Sequence, residues 1–239
     1  MKTITFPVGY RPNYLKQFLD SLASQDLADY KIICSAEKHP GCIKILEDHP
    51  LPITILRKEN SSGSRSHAGA RHNMYNVLNY AFKAGSDFDV HLEDDFLLSP
   101  DAINLASWYY ENFKDKPMTY MSYGLFNWAS GGKDFSGLTT APAFHGLGWC
   151  AFKENWEACY GKYWYDDVLA RKHANAYGWD WAVQGAFKEF KYKSILPLIS
   201  RTKHVGRLDG TCCTVGFFDK TYPHLKWNET EKITDFILR

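Results

Sequence analysis

Four short apolar segments alternate with amphipathic ones over the first 92 residues, and the fourth runs directly into three consecutive acids, Glu93-Asp94-Asp95. Thr3 to Val8, Lys31 to Cys34, Ile53 to Leu56 and Asp89 to Leu92 have the length and composition of strands. Between them lie Asn13 to Ala23, Cys42 to Leu46 and His67 to Lys83, of which the first places Leu15, Phe18, Leu19 and Leu22 at helical spacing. Strand–helix–strand order of this kind is satisfied by a parallel sheet with helices on its faces, an α/β class. Ligands of such sheets sit beyond the carboxyl ends of the strands, which is where the acidic triplet falls.

Three adjacent carboxylates repel one another unless a cation meets them. Hard oxygen donors suit Mn²⁺ or Mg²⁺, and a divalent cation bridging diphosphate oxygens is the natural partner. Glycine-rich phosphate loops are the rival device. Gly9-Tyr10-Arg11 and Ser62-Gly63-Ser64 match neither the dinucleotide fingerprint nor the P-loop, which sets aside nicotinamide enzymes and ordinary kinases. The chain's formal charge of +1 lacks the strong positive field of a DNA-coating protein. None of its six cysteines shows metal-ligand CxxC spacing, so free thiols in a reducing compartment are expected. No run approaches the length of a membrane span and the N-terminus lacks a signal-peptide core, which predicts a soluble, cytoplasmic protein with no membrane anchor of its own.

Ser99-Pro100-Asp101 is expected to cap a helix running to about Phe113, with Ser99 as the cap and Pro100 at the first helical position. Beyond Pro117 the pattern changes. Met118 to Tyr123 is expected as a strand, Ala129 to Thr140 as a loop, and Glu154 to Tyr160, Asp166 to Asn175 and Trp179 to Phe190 as helices. Ile195 to Ile199 follows as a strand, then a tail from Thr202 to Thr214 rich in Gly, His, Lys and Arg. No repeat or linker divides the chain. It is expected to be one catalytic domain over 1–239, with a nucleotide-binding half (1–116), an acceptor-binding half (117–239) and a closing loop near 202–214.

Several of these segments together resemble the α-1,3-mannosyl-glycoprotein N-acetylglucosaminyltransferase I family, glycosyltransferase family 13. They are Glu93-Asp94-Asp95 with Ser99-Pro100-Asp101, Arg71-His72 at 21 residues before Glu93, Phe144 with Gly146-Leu147-Gly148-Trp149, Ile199-Ser200-Arg201-Thr202, and Gly206, Gly210 and Gly216-Phe217-Phe218-Asp219. The resemblance implies a GT-A fold and metal-dependent, inverting transfer of a sugar from a UDP-sugar, with GlcNAc as one candidate. It implies Asp95 as direct metal ligand, with Glu93 and Asp94 orienting the metal or the sugar. Arg11 and Glu37 match positions that hold the uridine, and His72 one near the base, although Glu37 stands where the family has an aspartate.

Displacement at a sugar carbon needs a carboxylate opposite the leaving diphosphate to take the acceptor proton. Asp180 is the choice, because it lies 20 residues before Ser200, as the family's catalytic aspartate does before its Ser-Arg element. An N-cap role for Asp180 is the structural alternative, and Asp166-Asp167 is the competing acid pair. Choosing Asp180 implies an insertion of about 11 residues between Trp149 and Trp179 relative to the family, which would reshape the acceptor side. Trp179 and Trp149 are the aromatic candidates there, although Trp149, with Phe144, Phe217 and Phe218, is better suited to the core than to the site. Arg201, Lys203, His204 and Arg207 form a basic cluster. Arg201 and Arg207 would neutralise the leaving diphosphate, and His204 would complete a Mn²⁺ shell. The acceptor, whether a glycan, a protein or hydroxymethylated DNA, stays open at this stage. Nucleotidyl transfer and non-catalytic carbohydrate binding are the alternative functions.

Overall fold

The computed structural model describes residues 1–57, 67–208 and 214–239. The first half builds β1 (Lys2–Val8), α1 (Pro12–Ala23), β2 (Tyr30–Ala36), α2 (Pro40–Asp48), β3 (Ile53–Arg57), α3 (His67–Lys83), β4 (Phe88–His91), β5 (Phe96–Leu98) and α4 (Ala102–Phe113). The second half adds β6 (Ser122–Gly124), β7 (Gly137–Ala141), β8 (Trp149–Phe152), α5 (Lys153–Asn155), a π-helical turn (Trp156–Tyr160) and α6 (Gly161–Tyr163). It is completed by α7 (Asp167–Ala174), α8 (Trp179–Phe190), β9 (Ser194–Pro197), β10 (Thr202–His204), α9 (Val215–Thr221) and β11 (Ile237–Leu238).

One nine-stranded sheet has the order β11-β7-β9-β6-β8-β4-β1-β2-β3, and β5 pairs with β10 in a separate two-stranded ribbon. Strands β3, β2, β1 and β4 are mutually parallel, as the alternation predicts, while β8 enters antiparallel between β4 and β6. The sheet therefore runs without interruption across the two sequence halves.

Side-chain alternation divides the interior into two layers. Ile4, Phe6 and Val8 pack with Leu15, Phe18, Leu19 and Leu22 of α1 and with Leu105, Ala106 and Tyr109 of α4. On the opposite face Met74, Leu78 and Phe82 of α3 meet Trp149, Trp156, Tyr160, Trp164 and Phe187. Each fully buried aromatic or aliphatic side chain here contributes about 1.5–3 kcal/mol from removal of apolar surface. Pro12 occupies the first turn of α1, where its missing N–H has no helical partner to lose.

Three local expectations are corrected and one alternative is set aside. Helix α4 starts at Ala102, not at Pro100, because Ser99 donates to Asp101 while the Asp101 carboxylate turns away to Arg201, so neither side chain caps the helix. The strand expected from Met118 is a 3₁₀ turn at Pro117–Thr119 followed by the shorter β6. The expected loop from Ala129 to Thr140 carries β7, which pairs with β9. Trp179 opens α8 with Gly178 as N-cap at φ 134°, so Asp180 is not the cap. The serine-rich loop after Asn60, Gly210, Cys212 and Cys213 lie outside the described residues. Cys34, Cys42, Cys150 and Cys159 are buried free thiols, and burial pushes Cys34 and Cys159 up to about 12. Among the described residues, no helix is long and apolar enough to cross a membrane.

Candidate functional site

The acidic triplet leaves β4 at its carboxyl end and lies beside the turn between β1 and α1. Gly9 N donates to Asp94 Oδ2 at 2.9 Å, fixing that carboxylate from the turn. The Arg11 guanidinium spans the pair, with one terminal nitrogen on Asp94 and the other on Asp95. Both carboxylates are almost completely buried. Burial works against the guanidinium charge, but Asp94, Asp95 and Glu93 outweigh it and hold Arg11 above its ordinary value.

His204 approaches from the other side. Its Nε2 stands 3.1 Å from Asp95 Oδ2, a contact between residues 109 positions apart. The ribbon of β5 and β10 makes the approach possible, His204 being registered against Phe96 in the strand that follows the triplet. Two glycines permit the close packing. A Cβ at Gly206 would stand 2.9 Å from Asp95 Cγ and 3.1 Å from His204 Nε2, and one at Gly148, where φ is 85°, would stand 2.7 Å from Thr202 Cγ2 at the start of β10. Burial opposes ionisation of Asp95, yet His204 and Arg11 overcome it and hold the carboxyl below its ordinary range. Phe218 and Tyr222 flank the His204 ring, at centroid distances of 5.5 and 4.7 Å.

Glu93 behaves oppositely. Desolvation, then the charges of Asp95, Asp94 and Asp180, push it well above the usual carboxylate range against the pull of Arg11. Asp180, exposed in the first turn of α8, is the last and smallest of those contributions. The competing acids are otherwise engaged. Asp166 caps α7 by accepting from Leu169 N at 2.9 Å, and Asp167 pairs with Arg71 at 2.9 Å.

The remaining expected site residues differ in burial and in partners. Arg201 is fully buried, with Nε 2.8 Å from Asp101 and its terminal nitrogens on the carbonyls of Ile199 and Phe135, so it serves the fold and does not reach a donor. Trp149 is likewise fully buried and stacks on Tyr160 at 4.4 Å, which removes it from the acceptor side. Trp179 is half-buried and stacks on Trp164 at 4.4 Å. Arg207 is exposed and pairs bidentately with Asp219 at 2.6 and 2.7 Å. Glu37 is buried at the end of β2, its N–H bonded to Val8 O. His72 is exposed, with Nδ1 3.0 Å from the Tyr165 hydroxyl.

A cation held here would use Asp95 and His204. The Oδ1 atom of Asp95 is buried without a hydrogen-bond partner among the described residues, and Gly206 leaves the adjoining space free of a side chain. No group of three or more His, Cys, Asp or Glu able to hold a metal converges among the described residues. Asp95 and His204 offer one carboxylate and one imidazole, so a divalent cation held by them would take its remaining ligands from substrate phosphates and water.

Gly206 stands in the sequence only as one glycine of the family-like run, without a site role, and the Gly9 N–H and a network under β4 are not among the expected site residues. In that network the Thr3 and Thr5 hydroxyls donate to Asp89 at 2.6 and 2.7 Å, and Thr5 Oγ1 also lies 3.0 Å from His91 Nδ1. Alternating Thr-x-Thr and Asp-x-His on neighbouring strands was the available signal, since both pairs point to one face of the sheet.

No family model matches the chain, and no curated protein matches it in sequence. Solved structures do resemble it. Residues 1–349 of S. aureus TarS align with TM-score 0.55 at 12% identity, covering 87% of this chain and 61% of that one. The same fragment in complex with UDP-GlcNAc aligns with TM-score 0.55 at 12% identity over 91% of this chain and 63% of that one. Its complex with UDP aligns with TM-score 0.50 at 13% identity over 82% and 57%. The chain thus spans about three-fifths of the TarS fragment. Its large, mostly parallel sheet flanked by helices is an α/β fold of the GT-A type.

Proposed function

We propose that this chain is a metal-dependent, inverting glycosyltransferase that uses a UDP-sugar. The observation that carries the reading is the meeting of Asp95 and His204 beyond the carboxyl end of β4, with Gly206 making room beside them. The location is where an open α/β sheet binds its ligand, and TarS, of similar fold, was crystallised with UDP and with UDP-GlcNAc. The finer likeness to glycosyltransferase family 13 rests on the sequence segments alone, and it makes GlcNAc the first sugar to try.

In this reading Asp95 and His204 hold Mn²⁺ or Mg²⁺. Such a cation would supply neutralisation of the charge on the leaving diphosphate. Asp94 is kept in place by Gly9. Glu93, next to Asp94 and Asp95 at the end of β4, orients the metal or the sugar. Asp180 takes the proton of the acceptor hydroxyl while the acceptor oxygen bonds to the anomeric carbon and the bond from that carbon to the UDP oxygen breaks. Glu37 and His72 contact the nucleoside, Trp179 borders the acceptor, and Arg207 sits on the exposed segment beside the diphosphate. The acceptor is a glycan, a protein or a modified nucleic acid, and the whole acts as one domain.

Calorimetric titration of UDP-GlcNAc, UDP-Glc, UDP-Gal and UDP, with Mn²⁺ and with chelator, tests the donor site. Binding that needs Mn²⁺ and is lost in Asp95→Ala and His204→Ala is the expected outcome. Folded protein that binds no uridine nucleotide would overturn the reading. Asp180→Asn should bind donor normally and lose donor hydrolysis or transfer by about 10³-fold or more, as expected for removal of a general base together with its positioning role.

A further inference from the structure

We infer that Arg11 is the resident counter-cation of the acid pair and that a divalent cation enters by exchanging with it, which frees the guanidinium for the donor's diphosphate. The inference rests on the metal-dependent reading above. Arg11 is a fork laid across two carboxylates, each almost completely buried, and its own side chain is only 15% exposed. Two adjacent buried carboxylates need a cation to stay ionised. Arg11 supplies it from the chain itself.

The exchange follows from which atoms are shared. Asp95 Oδ2 is held at once by Arg11 and by His204 Nε2. A metal ion held by Asp95 and His204 would compete with the guanidinium for the Asp95 carboxylate, and the two positive charges would repel. Asp94 does not depend on Arg11 alone, because Gly9 N holds its other oxygen at 2.9 Å. The guanidinium can therefore leave without undoing the β1–α1 turn. That turn lies at the edge where a diphosphate arrives, and a planar fork suits phosphate oxygens as well as it suits carboxylates. Arg11 thus weakens metal binding without donor and gains a new partner when donor arrives, so metal and donor bind cooperatively.

The test is Mn²⁺ binding to the full chain, followed by electron paramagnetic resonance, without nucleotide and then with UDP. Arg11→Gln should bind Mn²⁺ alone about tenfold more tightly or better. With Mn²⁺ present it should bind UDP about tenfold more weakly, and Mn²⁺ should raise its melting temperature more than it raises that of the wild type. Arg11→Lys keeps the charge but cannot bridge both carboxylates, so its Mn²⁺ affinity should fall between the two. It also keeps the test alive where Arg11→Gln folds poorly. Folded Arg11→Gln or Arg11→Lys with wild-type or weaker Mn²⁺ affinity, beside a wild type that still needs Mn²⁺ to bind UDP, would overturn the exchange and leave the metal reading standing. A wild type that binds UDP equally well in chelator, or not at all, would overturn both.

Discussion

Replacing Gly206 by alanine tests the construction of the site through a single methyl group. The new Cβ would stand 2.9 Å from Asp95 Cγ and 3.1 Å from His204 Nε2. Carbon atoms at rest lie about 3.5–4.0 Å apart, so the carboxylate must retreat by roughly 0.6–1 Å. It has little freedom to do so, being buried and tied to Arg11 and His204. Overpacking of this kind costs about 1–3 kcal/mol. For a chain of this size each kcal/mol lowers the melting temperature by about 2–4 °C. The larger effect is on the ligand, since a 1 Å misplacement of a positioned group can cost about 10²-fold. Thermal unfolding and calorimetry of UDP with Mn²⁺ should therefore show a modest loss of stability beside a loss of donor affinity of about 10²-fold. Gly216→Ala in α9 is the control, because its Cβ would meet nothing within 4 Å. It should melt at or slightly above the wild-type temperature and bind donor normally. Gly206→Ala that binds Mn²⁺ and UDP like the wild type would refute the packing of Gly206 on Asp95 and His204.

Asp101→Ala should destabilise the fold by about 3–5 kcal/mol in denaturant titrations, because it strands the fully buried Arg201 guanidinium. The folded fraction should bind donor with unchanged affinity. Asp166→Ala should lower stability by about 1 kcal/mol through loss of the α7 cap and leave transfer intact, unlike Asp180→Asn. Asp89→Asn addresses pH. Burial pushes Asp89 up to about 7, so the folded chain keeps a proton that the unfolded chain releases near pH 4, and this group's contribution to stability falls as pH rises to about 7. Burial takes His91 down to about 3, and that contribution runs the other way, with stability lost as pH drops below about 6.5. The two slopes oppose each other between about pH 4 and 6.5. Asp89→Asn should remove the first and leave the second, giving a steeper acid-side loss of stability. Wild type and variant with parallel pH profiles would contradict the assignment.

The parts of the fold that follow from local pattern were legible in the sequence. The parallel strands β1 to β4 and the helices between them were set by apolar spacing, and the triplet's position followed from that order. Sequence position hid the long-range contacts that complete the site. His204 is brought to Asp95 by a three-residue strand, β10, paired with another, β5. Elements so short carry no periodicity, and nothing local tells which of several glycines in a basic segment must lack a side chain.

Two of the three arginines assigned to the donor show the same limit in electrostatic form. Composition displays a charge but not its partner, and in a chain with 28 basic and 27 acidic residues almost any arginine has a carboxylate to find. Arg201 found Asp101 and was sealed into the interior, where its fork also takes two backbone carbonyls. Arg11 found Asp94 and Asp95 at a turn that remains partly open. A buried guanidinium whose donors are distributed over carboxylate and backbone is structure, because no ligand can offer a better set of acceptors. In the proposed exchange, one at a partly open edge, whose acceptors are two carboxylates that a divalent cation would compete for, is held there only until the cation arrives. The difference lies in what competes for the acceptors, and it becomes visible only once the strand carrying His204 has been placed beside them.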